Sequence, residues 1–199
     1  DAYTPEGKAG MRPDYCTITY CNILKQLYPD VPIVIGGIEA SMRRLTHYDY
    51  WSDRLMPSIL VDSKADVLVY GMGEKQIVEI AKSLEDASLQ FSGRPEGYCL
   101  GDASLLFRDI PQVAYLEADS GYRVSGIGET IMLRSHEEAV KSKQVHAENF
   151  RIIETESNKI HAATIVQPVG DRYVVVNPPY PTMSTDELDA IYDLPFQYH

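Results

Sequence analysis

The chain has 199 residues, of which 44% are hydrophobic and 24% charged, so it can bury a domain core and is not disordered as a whole. It carries 18 lysine and arginine residues against 29 aspartate and glutamate residues, a formal net charge of −11 that argues against nucleic-acid binding through bulk attraction to phosphates. Its apolar runs are far shorter than the roughly 20 residues that cross a bilayer, which excludes a membrane-spanning protein.

The first predicted unit is a helix followed by a buried strand. Asp14 is a candidate N-cap, and Pro29 ends the helical pattern. Val31 to Ile35 is a continuous apolar run between turn residues, which is typical of a strand buried on both faces. The apolar positions that predict the helix are Cys16, Tyr20, Ile23, Leu24 and Leu27.

A second strand and helix follow a segment rich in arginine and aromatic residues. Within that segment, residues 39–60, we expect one or two short helices. Asp66 to Tyr70 predicts another buried strand, and a glycine-bearing turn closes it. Glu74 begins an amphipathic helix whose apolar stripe fades near Asp86. The repeated strand, turn and helix predict a parallel α/β sheet.

The rest of the chain predicts an α+β extension, because the α/β repeat stops near residue 120. The pattern indicates a loop at Gly93–Gly97, a strand at Val113–Leu116, an exposed helix from a Ser135 capping box to about Phe150, a hairpin at Ala163–Val169 and Tyr173–Val176, and a short helix capped by Ser184 and Glu187. We therefore divide the chain into residues 1–120 and residues 121–199.

The two glycine turns are candidate ligand sites, because each follows a predicted buried strand. A glycine pair there lets the backbone approach a phosphate or nucleotide, or else forms only a tight turn. The G-x-G turn is either an anion nest at a helix N-terminus or a plain turn, and it lacks the third glycine of a dinucleotide fingerprint. Glu39 accepts hydrogen bonds from a ribose or amide, or is a solvated carboxylate. The candidate cofactor-binding residues are Gly36, Gly37, Glu39, Gly71, Gly73 and Glu74.

Basic and aromatic side chains follow the first glycine turn. Arg43, Arg44 and His47 fall on one side of an expected helix, where they would hold a carboxylate or phosphate or else form a solvated surface. Their neighbours Tyr48, Tyr50 and Trp51 stack on a flat cofactor or form a small apolar cluster.

The chain shows no motif for a nucleophile, a zinc site or a phosphate-binding loop, so we assign no catalytic and no metal-binding residue. Three cysteines, Cys16, Cys21 and Cys99, are an odd number without metal-binding spacing, and they predict a reduced, cytoplasmic chain. The first residue is Asp1 rather than Met, so we expect an excised piece of a longer protein.

Five separated segments resemble the amino-terminal region of the YgiQ-type radical SAM proteins. They are VPIVIGGIEASMRR, HYDYWSD, SILVDSKADVLVYGMGEKQIVEIA, VVVNPPYP and TDELDAIYDLPF, and the match covers nearly the whole chain. The resemblance implies that a TIM-barrel-like domain follows, whose C-x-x-x-C-x-x-C triad holds a [4Fe–4S] cluster and S-adenosylmethionine. This chain lacks that triad, so we expect a non-catalytic accessory region that positions substrate or cofactor for the downstream domain.

The glycine turns are also similar to those in the carboxyl-terminal half of a cobalamin-binding-type Rossmann domain. The D-x-H-x-x-G loop of that fold is absent, and its S-x-L element is not found near Lys8 to Gly10. Either these elements precede Asp1, or the region has kept the fold without cobalamin. Asp49 follows His47 instead of preceding it, and in a helix the two side chains would point to different faces, so we expect weak or no cobalamin binding.

Together these patterns predict an α/β fold, with a partial doubly wound, Rossmann-like parallel sheet before the α+β extension. We expect the downstream radical SAM domain as the partner, and self-association through an exposed sheet edge. Two alternatives stay open. One is a structural or interaction module that binds no small molecule, and the other is a free-standing nucleotide-binding module, which leaves the polar extension unexplained.

Overall fold

A computed structural model describes residues 4–91, 104–118 and 127–197. Within these residues the strands are β1 Val34–Ile35, β2 His47–Asp49, β3 Arg54–Met56, β4 Val67–Val69, β5 Val113–Ala118, β6 Thr130–Met132, β7 Thr164–Val169 and β8 Arg172–Val176. The α-helices are α1 Cys16–Leu27, α2 Gly37–Met42, α3 Ile59–Ser63, α4 Glu74–Phe91, α5 Ser104–Phe107, α6 His136–Lys141, α7 Lys143–Ser157 and α8 Thr185–Tyr192, and a 3-10 turn covers Pro5–Gly7.

Six strands form one mixed sheet in the order β1-β4-β5-β8-β7-β6, while β2 and β3 form a separate antiparallel hairpin. The predicted α/β class is confirmed. The two strands predicted to lie in a parallel sheet do pair in parallel, with Val34 opposite Val67 and Ile35 opposite Leu68. The centre of the sheet is antiparallel, because β8 pairs antiparallel both with β7, its partner in the predicted hairpin, and with β5.

Strands from both sides of residue 120 hydrogen-bond in this one sheet. The register of β5 with β8 runs from Ala114 opposite Val176 to Ala118 opposite Arg172. A central strand such as β5 needs a partner on each side to satisfy its backbone groups, and β4 provides the other one. The division into two parts at residue 120 stays a prediction, but the sheet continues across it.

Two apolar layers cover the two faces of the sheet. One face packs under α1, α3 and α7, and the other under α4 and α5. Strand β8 shows how the pleat builds both layers, because Val174 and Val176 belong to the first and Val175 to the second. Of the two strands predicted to be buried on both faces, β4 is buried throughout, whereas the strand predicted at Val31–Ile35 comprises only Val34–Ile35 and Val31 is 55% exposed.

Helix α1 is confirmed, but its N-cap is a different residue from the predicted one and most of its apolar stripe is exposed. Its N-cap is Tyr15, which makes no capping bond, and not Asp14. The buried residue of the helix is Cys21, and Ile18 packs beside it. Most of the stripe lies exposed to solvent, namely Tyr20, Ile23, Leu24 and Leu27 at 43–64% exposure.

Other local predictions are confirmed with adjustments. The two short helices expected in segment 39–60 overlap its ends, because α2 begins at Gly37 and α3 continues to Ser63, and the unexpected hairpin β2–β3 lies between them. The capping boxes at Ser135 and Ser184 are present in full. The predicted exposed helix is broken at Ser142 into α6 and α7, and Asn149 is buried where it bonds the backbone of Arg134. The loop Gly93–Gly97 and Cys99 lie outside the described residues.

Candidate functional site

The two predicted glycine turns lie side by side. Strands β1 and β4 are parallel neighbours, so the turns that follow them meet at one edge of the sheet. The hydroxyl of Ser41, on α2, accepts a hydrogen bond of 3.1 Å from the Gly71 amide and ties the second turn to the first. The structure therefore brings together glycines that are 35 positions apart in the sequence. We call this place the glycine edge; it comprises Gly36, Gly37, Gly71 and Gly73.

The two glycines of the first turn have different constraints. A Cβ added at Gly36 would lie 3.3 Å from the Val69 carbonyl oxygen, so this glycine permits the close approach of β1 and β4. Gly37 has a φ of 79°, which favours glycine, and no described atom lies within 4 Å of an added Cβ. Gly36 thus serves packing, whereas Gly37 leaves free space at the start of α2.

The two candidate glutamates are in different environments. Both oxygens of Glu39 are engaged, one by the Thr17 hydroxyl at 2.7 Å and the other by Arg43 at 3.1 Å. A ligand hydroxyl would have to share an oxygen with one of these bonds. Glu74 is half-buried in the first turn of α4 and lines a cleft beside Tyr180 and Leu188.

Gln112 holds the second glycine turn in place, and nothing in the sequence pattern singled it out. Its amide donates to the carbonyls of Tyr70 and Met72, both at 2.8 Å. Its side-chain oxygen accepts from the Tyr180 amide at 3.1 Å. A Cβ at Gly71 would lie 2.9 Å from the Gln112 amide nitrogen, so the turn accommodates this bond only with glycine.

A cavity of about 390 Å³ lies between the end of α2, strand β2 and helix α7, and we call it the Arg44 cavity. Its lining contains Met42, Arg43, Arg44, Leu45, Thr46, His47, Tyr48, Asp49, Tyr50, His146, Phe150, Ile153 and Glu154. The basic side chains that the sequence predicted to act together do meet here. Arg43 and Arg44 directly follow the end of α2 and His47 lies on strand β2, however, so the three are not on one side of a helix.

Of the three aromatic residues in this segment, two line the cavity and one does not. Tyr48 and Tyr50 belong to the lining, whereas Trp51 packs on Tyr50 with 4.9 Å between ring centroids. Trp51 itself is 76% exposed. The sequence could not indicate the opposite wall, because α7 begins about a hundred residues further along the chain.

Arg44 is fixed in place by contacts that leave one donor unused. A guanidinium nitrogen donates to the Ser41 carbonyl at 2.5 Å, and the guanidinium lies 4.9 Å from the centre of the Tyr70 ring. Its Nε is buried and has no hydrogen-bond partner in the described part of the chain. Burial lowers the pKa of Arg44, which stays protonated at neutral pH because arginine ordinarily titrates above 12.

Asp49 is a buried carboxylate, 1% exposed, whose two oxygens have different partners. Its Oδ2 accepts from the Ser52 hydroxyl at 2.6 Å and from the Tyr15 hydroxyl at 2.7 Å. These hydrogen bonds, from Ser52 first and then Tyr15, lower the pKa of Asp49 below its usual range. Its Oδ1 lies 3.8 Å from Arg43 and accepts no hydrogen bond from the described residues.

His47 offers an uncharged ring to the same cavity. Its Nδ1 lies 3.2 Å from the Leu45 carbonyl, which can only accept, so Nδ1 carries the proton and Nε2 does not. Burial lowers the pKa of His47 below its ordinary value, and the ring is therefore neutral at pH 7.

The helical argument against cobalamin was wrong, because His47 and Asp49 lie on strand β2, where residues two apart share a face. The Leu45 carbonyl also supplies the second-nitrogen bond that the sequence lacked. The cavity beside His47 has a volume of about 390 Å³. Weak or absent cobalamin binding stays a prediction.

In residues 4–91, 104–118 and 127–197, no group of three His, Cys, Asp or Glu side chains is placed to hold a metal ion. Cys16 and Cys21 are free thiols. None of the described helices is both long and apolar enough to span a membrane.

Residues 1–199 match the family described as Radical SAM N-terminal. The chain belongs to this radical SAM N-terminal family. The predicted resemblance to the amino-terminal region of a YgiQ-type radical SAM protein is thereby confirmed.

Relatives of this radical SAM N-terminal chain include longer proteins from several bacteria. A UPF0313 protein of Bacteroides thetaiotaomicron is 50% identical over 98% of the chain and 31% of its own length. A UPF0313 protein of Porphyromonas gingivalis is 48% identical over 98% of the chain and 28% of its length, and one of Clostridium perfringens is 46% identical over 100% and 28%. The chain spans less than a third of these relatives, and no solved structure matches it.

Proposed function

We propose that this domain is a non-catalytic accessory region that positions substrate or cofactor for a radical SAM domain following it in the same polypeptide. The observation that carries the proposal is the glycine edge, where the parallel pairing of β1 and β4 brings two glycine turns together. Ligands of open α/β sheets bind at the carboxyl ends of parallel strands. The length of the relatives leaves room for a following domain.

In this proposal the [4Fe–4S] cluster and S-adenosylmethionine belong to the following domain. The cluster would supply the electron, and S-adenosylmethionine the radical, for the chemistry of the whole protein. The cysteines of this chain number three and lack the triad spacing, so they do not fit the cluster. Free thiols at Cys16 and Cys21 support a reducing, cytoplasmic location.

Exposed apolar side chains beside the glycine edge support contact with the following domain. Ile38, Met42 and Met72 are 84%, 73% and 64% exposed. Large side chains of this kind, close together on a surface, mark sites of interaction.

The first experiment is to determine the sequence of the polypeptide beyond His199. The proposal requires a C-x-x-x-C-x-x-C triad in the domain that follows. A following domain without that triad would overturn the proposed role in radical SAM chemistry.

The second experiment compares Gly37→Asn with Gly170→Asn in the full-length protein. Both glycines have a positive φ and no described atom within 4 Å of an added Cβ, so the backbone strain is matched. Gly36→Val is a poorer choice because its side chain would meet the Val69 carbonyl. The readout is the ratio of S-adenosylmethionine consumption with and without a small-molecule extract of the native cells.

We expect Gly37→Asn to reduce that ratio at least fivefold, because the new side chain fills the free space at the start of α2. Gly170→Asn, in the β7–β8 turn, should leave the ratio unchanged. Equal ratios for the two variants would contradict a ligand site at the glycine edge.

Equal ratios would instead favour the alternative of a structural or interaction module that binds no small molecule. That alternative is supported by the exposed apolar side chains beside the edge and by the hydrogen bonds that both oxygens of Glu39 already accept. Under that alternative, binding between the separately produced chain and the following domain weakens when Met42 is replaced by glutamate, while the two glycine variants keep equal ratios.

A further inference from the structure

We propose that a cleft at the amino-terminal end of α4 binds the carboxylate of a small apolar acid. The cleft has a volume of about 340 Å³ and lies between the second glycine turn, the start of α4 and residues 180–188; we call it the α4 cleft. It adjoins the glycine edge, because Met72, between Gly71 and Gly73, belongs to its lining. The inference rests on the proposed function, since it names the chemistry of the ligand at this edge.

The lining residues place the cleft over the end of α4. Glu74, Lys75 and Gln76, the first three residues of the helix, all line it. Successive residues of an α-helix are turned by about 100° from one another. Three in a row therefore line one cleft when it covers the end of the helix and not one side. Backbone amides point outward at this end of a helix.

The backbone amides at this end have no acceptor. The first helical bond of α4 runs from the Ile77 amide to the Gly73 carbonyl at 3.1 Å. Within the described residues, the amides of Glu74, Lys75 and Gln76 make no hydrogen bond. Gly73, which precedes the helix, has no side chain that could cap them. These donors and the positive end of the helix dipole attract an anion.

The side chain of Gln76 indicates a ligand by a separate observation. Gln76 is 2% exposed and lies one turn before Ile80, which packs in the second apolar layer. Its amide makes no hydrogen bond in the described part of the chain. Side chains lean toward the amino terminus of their helix, so this amide is directed toward the cleft that Gln76 lines.

The Gln76 amide is both unpaired and accessible to a ligand. It is not among the polar atoms that are completely buried without a partner, so it keeps surface that a ligand can reach. At 2% residue exposure little water solvates it, and an unpaired amide in such a place costs free energy until a ligand bonds it. Its NH2 group can donate to a carboxylate oxygen.

Lys75 adds a positive charge to the cleft. Its Nζ lies 2.6 Å from Glu187 of α8 and 5.8 Å from the centre of the Tyr180 ring, which also lines the cleft. An ammonium group has three donors, and Glu187 accepts one of them. A ligand carboxylate can therefore accept a hydrogen bond from Lys75 while the ion pair stays intact.

Two glutamates limit the charge that the ligand can carry. The oxygens of Glu187 accept hydrogen bonds from Lys75 and from the Ser184 amide. Glu74 lines the cleft and has no partner among the described side chains. A phosphate dianion would meet twice the repulsion from Glu74 that a carboxylate meets. The cleft therefore favours a ligand with a single negative charge.

The rest of the lining favours an apolar body on the ligand. Met72 and Leu188 are 64% and 41% exposed, and Pro181 and Met183 lie beside them in the lining. Covering these side chains adds apolar burial to the polar contacts at the helix end.

The test is isothermal titration calorimetry of the full-length protein with hexanoate and phenylacetate, each titrated singly. Hexanamide and phenylacetamide are matched neutral analogues, and phenyl phosphate is a matched dianion. We expect at least one acid to bind, and its amide and phenyl phosphate to bind at least tenfold more weakly. No binding by either acid would overturn the proposal.

The analogues exclude two other sites. Comparable binding of the amide would indicate an apolar groove without an anion site and would contradict the proposal. Tighter binding of phenyl phosphate would indicate a phosphate site and would be equally fatal to the carboxylate.

Substitution of Gln76 distinguishes a binding role from a structural one. Gln76→Leu should weaken acid binding at least tenfold and leave the urea midpoint unchanged or higher, because leucine needs no hydrogen bond in its place. A Gln76→Leu protein that binds the acid normally and unfolds at lower urea would show a structural role and refute the assignment.

Charge variants locate the site even if Gln76→Leu fails to fold. Lys75→Met should weaken acid binding at least threefold, whereas Lys82→Met, at an exposed lysine of the same helix, should not change it. Glu74→Gln should strengthen binding, because it removes the repulsion. Unchanged affinity in the Lys75 and Glu74 variants would place the binding elsewhere and overturn the proposal.

This experiment is separable from the tests of the proposed function, because calorimetry needs neither turnover nor the cysteine triad. If neither acid binds while Gly37→Asn still lowers the ratio of S-adenosylmethionine consumption, the proposed function stands and this inference is wrong. If an acid binds with the expected effects of the variants while the glycine variants keep equal ratios, the carboxylate site stands without the proposed role.

Discussion

At the scale of single residues, the side chain of Gln112 holds the second glycine turn in place despite a strained backbone. Its φ of 61° lies in the left-handed region, where a side chain other than glycine costs roughly 1 kcal/mol or more. Three side-chain hydrogen bonds offset that strain by joining the second glycine turn to Tyr180. The residue thus stabilises the shape of the glycine edge from outside it.

Replacing Gln112 separates the two effects. Gln112→Ala removes the three bonds and keeps the strain, so we expect the free energy of unfolding to fall by about 1–3 kcal/mol. Gln112→Gly removes the same bonds but relieves the strain, and should be less destabilising than alanine by about 1 kcal/mol. Urea denaturation of both variants measures the difference, and an alanine variant as stable as glycine would refute the strain argument.

His47 is the residue at which cobalamin binding can be tested. The absence of the D-x-H-x-x-G loop leads us to expect no saturable change in the corrin absorption bands when hydroxocobalamin is titrated into the protein at neutral pH. A saturable shift that His47→Ala abolishes would contradict this expectation and make His47 the cobalt ligand.

At the scale of elements, Glu156 ties the end of α7 to the start of β7. It is 4% exposed, and its oxygens bind the Ala163 amide at 3.0 Å and the Lys159 ammonium at 2.5 Å. The Ala163 amide, and secondly Lys159, lower the pKa of Glu156 below its ordinary value. The stabilisation is therefore present above the unfolded pKa and is lost as pH falls through the lower, folded pKa.

Glu156→Gln should reduce the acid sensitivity of the fold. The unfolding free energy of the unmodified protein should fall as pH decreases below about 4.3, and the variant should show a smaller fall. Lys159→Gln should have an intermediate effect, since the bond from Ala163 remains. Urea denaturation at several pH values between neutral and strongly acidic tests this, and parallel pH profiles for all three proteins would exclude the assignment.

At the scale of the whole molecule, the exposed apolar stripe of α1 offers more surface for self-association than the edge strand β1. Edge strand β1 has two residues and offers few free backbone groups, whereas Ile23, Leu24 and Leu27 are 45%, 43% and 64% exposed. The predicted self-association of the chain should therefore depend on this helix face more than on strand pairing.

The double substitution Leu24→Glu and Leu27→Glu should reduce self-association of the 199-residue chain in sedimentation velocity. Ile160→Glu is the matched control, because Ile160 is an apolar residue with 82% exposure in the loop before β7. An equal effect of the control would show that association depends on general charge and not on α1.

Several features of this fold follow from the sequence because they depend on neighbours along the chain. The capping boxes at Ser135 and Ser184 join residues three apart, so serine and glutamate at that spacing predict them directly. The β7–β8 hairpin depends on alternating apolar residues around Gly170. The parallel pair β1 and β4 follows from two buried strands, each followed by a glycine turn and a helix.

Other features were decided only by tertiary packing. The sequence could not show that β5 and β8 would join the parallel pair in one sheet, since many partners satisfy the same alternation. Gln112 and α7 contribute to their sites from far along the chain, and no local pattern marks them. The sequence by itself determined the family through its motifs, and it determined the capping boxes, the β7–β8 hairpin and the strand–turn–helix units because these depend on short-range bonds. The Arg44 cavity and the shape of the glycine edge depend on how segments distant in the sequence pack together. This packing minimises the free energy of the whole chain, so no single segment predicts it.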